Sequence, residues 1–259
     1  MKFIKQILSD FGGIVRVCGL VTGLKWLLFI FITLPQCTKN KNLQPADRMF
    51  GEGPIKVKSK NGKVNLTGGQ IFSSIREIWV RNVYLKNNFI KIPDEGIVVD
   101  LGANIGTFTM LALASGKACK VIAVEPNIEF NKLLLRQIAY NNFSERVKLQ
   151  RFFIGSFSSI QKEMLLANES KDAQFINQKE FIEVNKFSWI DFLKCDIEGS
   201  EYDFISDTSL LEITKQLAIE IHDSAGDRNI FIDKLKELGF AIGPIKDDPG
   251  SCIVLAKRI

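Results

Sequence analysis

The chain has 259 residues, 46% of them apolar and 24% charged, with a net charge of +5 and a pI of about 8.9. That composition builds a packed core in one α/β domain with an extension, or in two small domains. Lys and Arg are spread along the chain, with no basic block interleaved with aromatics, so no nucleic-acid partner is expected. The five cysteines (Cys18, Cys37, Cys119, Cys195 and Cys252) include no Cys-x-x-Cys pair, and His222 is the single histidine, so no metal set is expected. Cysteine usage of this kind fits a reduced, cytoplasmic compartment.

Residues 1–36 form an apolar helical segment. Val17 to Leu34 is almost wholly apolar, at the short end for a membrane span. Lys25 near its middle would cost about 2.5–3.5 kcal/mol in a bilayer core. No small-residue cleavage site follows, so a secretory signal is not expected. Lys2, Lys5 and Arg16 precede or enter the run; Lys39, Lys41 and Arg48 follow it, and Asp10 is the only acid before Asp47. Two readings stand side by side. One is an interfacial segment, peripheral on the cytoplasmic membrane face, with Trp26 and the Phe side chains at headgroup depth. The other is a helix packed on the following domain or on a second subunit.

Residues 37–90 read as linker, hairpin and lead-in helix. Pro35, Pro45 and Pro54 punctuate the stretch. Ile55–Lys58 and Val64–Leu66 are predicted to pair around the Asn61-Gly62 turn. Apolar residues at helical spacing (Ile75, Ile78, Trp79, Val83) predict one helix over Ile71–Phe89.

Residues 91–259 alternate strand and helix. Strands are predicted at Ile97–Leu101, Val121–Val124, Val147–Ile154, Trp189–Cys195 and Gln216–Ile221. An antiparallel pair, Phe240–Ile242 with Cys252–Ala256, closes the domain. Helices are predicted at Thr107–Ser115, at Ile128–Tyr140 capped by Asn127, around Glu201–Ile205, and at Asn229–Leu238 ending at Gly239. Repeated β-α units with apolar strands give a mostly parallel sheet covered by helices on both faces.

In such sheets, ligands sit beyond the carboxyl ends of the strands, where strand order reverses. The first strand ends in Asp100-Leu101-Gly102-Ala103-Asn104-Ile105-Gly106. Gly102 and Gly106 let the backbone turn and approach a ligand. Asn104 tolerates a left-handed conformation in place of a middle glycine. Asp100 is suited to accept a hydrogen bond or to orient the loop. Glu125 ends the next strand, where a carboxylate binds ribose hydroxyls. An NAD-binding oxidoreductase would carry G-x-G-x-x-G with a third glycine two residues on, which is missing here. A cofactor without pyrophosphate fits better.

Leu193-Lys194-Cys195-Asp196-Ile197-Glu198-Gly199-Ser200-Glu201 places three carboxylates in six residues. Like charges so crowded need a cation or donors, for which a sulfonium, a substrate hydroxyl, a metal or Lys194 would serve. Glu201 reads as a first-turn acid on the next helix. The spacing of Asp196 and Glu198 alone does not define a metal set. His222 ends the fifth strand on the same side as Glu220 and is the first choice as general base, with Asp196 and Glu198 next.

Val99 to Gly106, Glu125-Pro126 and Leu193 to Glu201 together resemble the FkbM family of S-adenosylmethionine-dependent methyltransferases. The second long motif is rather specific to that family. The resemblance covers roughly residues 70–222. It implies a class I methyltransferase-like fold, S-adenosylmethionine as cofactor, and O-methylation of a hydroxyl on a sugar, glycan or secondary metabolite. It implies that Gly102, Asn104 and Gly106 hold the cofactor's amino-acid end, Glu125 its ribose, and Asp196 its sulfonium or amine. The alternative from another class is a noncatalytic methyltransferase-like scaffold at a membrane. The segment Ser156–Phe187 and the first 90 residues are expected to shape the acceptor pocket.

Overall fold

The computed structural model describes residues 2–155, 162, 163, 166 and 170–259. The N-terminal unit opens with helices α1 (Lys2–Cys18), α2 (Leu20–Ile32), α3 (Leu34–Asn40) and α4 (Gln44–Arg48), followed by a hairpin of β1 (Ile55–Ser59) and β2 (Gly62–Leu66). The main domain contains β3 (Ile97–Leu101), β4 (Lys120–Val124), β5 (Val147–Gln150), β6 (Phe152–Ile154), β7 (Gln174–Ile176), β8 (Phe192–Cys195), β9 (Gln216–His222), β10 (Phe240–Asp248) and β11 (Ser251–Arg258).

Seven of these strands form one sheet in the order β10-β11-β9-β8-β3-β4-β5. All run parallel except β11, which is antiparallel to both neighbours. Chain order reverses at β3: the chain moves outward to β4 and β5, then returns to the other side of β3 as β8. The crevice above the β3 and β8 ends is therefore the switch point where an open α/β sheet takes its ligand.

Two apolar clusters face opposite sides of the sheet. The helix Thr107–Ser115 is apolar all round, and Thr107 through Ala114 are all buried, as such a helix must be. One side packs on the sheet. The hairpin and the residues around Trp79 cover the other. Leu43, Val57, Leu66, Ile71 and Phe72, from the stretch expected to be linker and lead-in, join that same cluster.

An ion cluster ties the N-terminal helices to the domain. Arg76 Nη1 is 2.9 Å from Asp10 and Nη2 is 2.7 Å from Asp47, with all three side chains buried. Arg81 also binds Asp10 at 2.6 Å. Trp26 Nε1 donates to Asp47 at 2.9 Å. Trp26 is fully buried, so it does not sit at headgroup depth.

Three other expectations are corrected. Ile71–Phe89 is not one helix: a short α-turn, Ile71–Ser74, becomes a π-turn over Ile75–Val80, and Asn82 at φ 52° breaks the run. Asparagine is among the few non-glycine residues that tolerate this left-handed backbone, so Asn82 can end the run. Val147–Ile154 is two strands: β5 pairs with β4, and β6 leaves to pair with β7. The helix expected around Glu201 begins at Asp203, because the Glu201 side chain folds back into the preceding loop.

Candidate active site

The β3 loop is bonded to β4 before any ligand is considered. The amides of Gly102 and Ala103 both donate to the Val124 carbonyl at 3.0 Å. Gly102 has φ 72°, and a Cβ there would lie 1.7 Å from the Asp196 carbonyl oxygen. Only glycine permits this contact between the ends of β3 and β8. Asn104 is left-handed at φ 51°, and its side chain accepts from the Ile105 amide.

Glu125 closes the cradle. Its Oε2 accepts from the Asn104 amide at 2.8 Å and its Oε1 from the Asn127 amide at 2.9 Å. Asn127 caps the next helix, Ile128–Tyr140, through Glu129 N and Phe130 N. Burial pushes the Glu125 carboxyl up to about 7 against the pull of those two amides. Each oxygen keeps a second acceptor site, so the carboxylate can take two hydroxyl donors. Gly102, Asn104, Val124, Glu125, Asp196 and Glu198 line one cavity with Phe130, Phe152 and Phe153. Apolar faces beside a two-hydroxyl acceptor fit a nucleoside.

Gly106 and Asp100 lie behind the cradle. Gly106 faces Leu134. Asp100 is fully buried, accepts from Thr109 Oγ1 at 2.6 Å, and stands 3.3 Å from Lys194 Nζ. Strand register sets that pair, because Asp100 lies opposite Lys194 across β3 and β8. Burial opposes the Lys194 charge, but Asp100 and Asp196 outweigh it and raise its pKa. Lys194 also donates to the carbonyls of Leu101 and Gly102 at 3.1 and 2.7 Å.

A second cavity shares Gly102, Asn104, Asp196 and Glu198 with the first, and Glu77, Tyr84, Lys194, Glu220 and His222 are among its other lining residues. Tyr84 donates to Asp196 Oδ2 at 3.3 Å, with Glu220 Oε2 at 3.4 Å as a second acceptor. Ser251 donates to Glu220 Oε1 at 2.8 Å. Burial and then the Asp196 charge raise the carboxyls of Glu198 and Glu220.

Glu201 is the residue whose expected role changes most. It is fully buried and accepts from the amides of Ile197 and Gly199, both at 2.9 Å. It therefore does not cap the next helix. Its Oε1 lies 3.1 Å from His222 Nδ1. On the far side, His222 Nε2 is 3.5 Å from Glu198. The Glu201 hydrogen bond pushes the imidazole up to about 9, against burial. Glu198 itself is held left-handed at φ 57°, a conformation costing a non-glycine residue roughly 1–2 kcal/mol.

Ligand-type atoms of Asp196, Glu198 and His222 lie within 4.8 Å of one another, a grouping that the spacing of the two acids alone does not reveal. Tyr84 and the structural part of Glu201 escape sequence reasoning. Tyr84 sits in the misjudged Ile71–Phe89 stretch, and the folding back of Glu201 is a tertiary fact. Within Ser156–Phe187, residues 156–161, 164, 165 and 167–169 lie outside the described residues.

The sheet order and the cradle define a class I methyltransferase. A methyltransferase FkbM domain matches residues 100–242, and the chain belongs to this family. Its cofactor is S-adenosylmethionine, and the dinucleotide reading falls away. A curated relative, the AMB antimetabolite synthetase AmbE of Pseudomonas aeruginosa, is 22% identical over 227 residues; the match spans 66% of this chain and 11% of AmbE. The chain is also similar to a methyltransferase FkbM from Methylobacillus flagellatus KT, at 16% identity and TM-score 0.45, covering 72% of this chain and 54% of that one. A precorrin-6y C5,15-methyltransferase from Geobacter metallireducens matches at 12% identity and TM-score 0.45, covering 69% and 88%.

Proposed function

We propose that the enzyme methylates a hydroxyl on a sugar, glycan or secondary metabolite. One observation carries this reading: the acid-lined cavity holding His222 meets the Glu125 cradle along a shared wall of Gly102, Asn104, Asp196 and Glu198. When bound, S-adenosylmethionine supplies an electrophilic methyl on a sulfonium.

Glu125 holds the ribose, and Gly102 and Asn104 lie alongside the amino-acid end. Asp196 sits between the two cavities and offsets positive charge. Glu220 and Tyr84 offer an acceptor and a donor to a polyol. A hydroxyl is a weak nucleophile and gains from a base as the C–O bond forms and the S–C bond breaks. Glu201 holds the proton on Nδ1 of neutral His222, so Nε2, which faces Glu198 at 3.5 Å, can take the hydroxyl proton. In-line placement of acceptor and methyl supplies much of the rate.

The test is transfer of a labelled methyl group to glycan and metabolite fractions, followed by mild alkali. The reading expects an alkali-stable methyl ether that His222→Ala largely abolishes. Label appearing only as an alkali-labile ester, or only on nitrogen, overturns it.

A further inference from the structure

Helix α2 is apolar on both faces. Trp26, Phe29 and Ile30 turn inward and are buried. Leu20, Val21, Leu24, Leu28, Phe31 and Ile32 are exposed, Val21 by 81% and Phe31 by 77%. At one residue per 100°, these six fall within an arc of about 120°. A helix apolar all round is covered on all sides where it works, and an exposed apolar face this large marks a docking surface.

The surrounding charge says what covers it. Lys5, Arg16, Lys25, Lys39, Lys41 and Arg48 are exposed across α1–α4. The only acids among residues 3–51 are Asp10 and Asp47, which are 3% and 1% exposed and bound to Arg76 and Arg81. The described surface of these helices therefore shows basic groups and no acidic ones. A second copy of this face would set like charge against like, whereas anionic headgroups complement it. A 13-residue helix is roughly 20 Å long, short of the ~30 Å hydrocarbon core. Among the described residues no single helix is long and apolar enough to cross a membrane; α2 and α3 reach that length and composition only together, and the pair is bent by 76°.

We propose that α2 lies on an anionic bilayer surface, with its exposed arc among the acyl chains and the basic side chains of α1–α4 drawn to the headgroups. The proposal does not depend on the identity of the methyl acceptor. The experiment is co-sedimentation of the 259-residue chain with phosphatidylcholine vesicles, with and without phosphatidylglycerol. Wild type should pellet with the anionic vesicles and be released by high salt. Val21→Ser/Leu28→Ser/Phe31→Ser should weaken partitioning at least about tenfold, while calorimetry shows unchanged S-adenosylmethionine affinity. Lys25→Glu/Lys39→Glu/Lys41→Glu, which leaves the apolar arc intact, should abolish the preference for anionic lipid. Equal binding to both vesicle types overturns the proposal. So does a wild type that stays in the supernatant as a dimer which the serine variant converts to monomer, because a second copy then covers the arc.

Discussion

Glu201 Oε1 lies 3.1 Å from His222 Nδ1, and the same carboxylate receives the amides of Ile197 and Gly199. One buried acid thus sets the shape of the loop carrying Glu198 and the protonation of the imidazole facing it. The pairing raises the His222 pKa to about 9, so near neutral pH the ring is charged and the base is not yet available.

Turnover should therefore rise with pH toward an inflection near 9. Glu201→Gln should move that inflection down toward the ordinary histidine value, and His222→Ala should lower kcat by about 10²–10⁴-fold. In stability, the raised pKa works in the opposite sense. The ion pair contributes fully below pH 6.5 and is lost as pH rises through about 9. A pH–rate profile of the Glu201→Gln variant that overlays wild type removes Glu201 from this role.

Glu125 predicts a second pH effect. Its raised pKa of about 7 means that the free protein loses some stability between about pH 4.5 and 7, where the native state still holds a proton that the unfolded chain has released. Ribose hydroxyls donate to the ionised form, so cofactor affinity should climb with pH and level off above about 7. Calorimetry from pH 5.5 to 8.5, on the order of the window set by that pKa, checks this; a flat dissociation constant contradicts it.

The Asp10–Arg76–Asp47 cluster predicts a stability effect. Arg76→Met leaves the buried Asp47 carboxylate with the Trp26 indole as its remaining side-chain donor and Asp10 with Arg81 alone, and should cost about 3–5 kcal/mol in urea unfolding. A loss under about 1 kcal/mol, the range of an exposed pair, would show that the N-terminal helices are not anchored there.

Two glycines should behave oppositely. Gly102→Ala places a Cβ 1.7 Å from the Asp196 oxygen and should abolish cofactor binding or folding. Gly12 lies inside α1 with nothing within 4 Å of its added Cβ, so Gly12→Ala should stabilise by about 0.5–1 kcal/mol. Thermal melts compare the two directly.

The parts of the molecule legible in the sequence are those set by local rules. The left-handed Asn104, the Asn127 cap and the β3 and β8 strand ends follow from backbone preference and short apolar runs. What the sequence hid depends on distant partners. Nothing near Arg76 shows that it reaches Asp10, 66 residues away. Nothing near Arg151 shows that β6 abandons the main sheet for β7. Glu201 has the local signature of a helix acid, and only the tertiary return of β9 brings His222 to it. Trp26 lies in a run apolar enough for a membrane, yet its indole needs a buried acceptor, which Asp47 provides.

The most direct test of the central claim is calorimetric titration with S-adenosylmethionine, with NAD as competitor, on wild type and Glu125→Ala. The account predicts saturable S-adenosylmethionine binding, undisturbed by NAD and weakened at least about tenfold in the variant, as loss of a charged hydrogen-bond partner requires. Tight NAD binding without S-adenosylmethionine binding, or an unchanged Glu125→Ala variant, would contradict it.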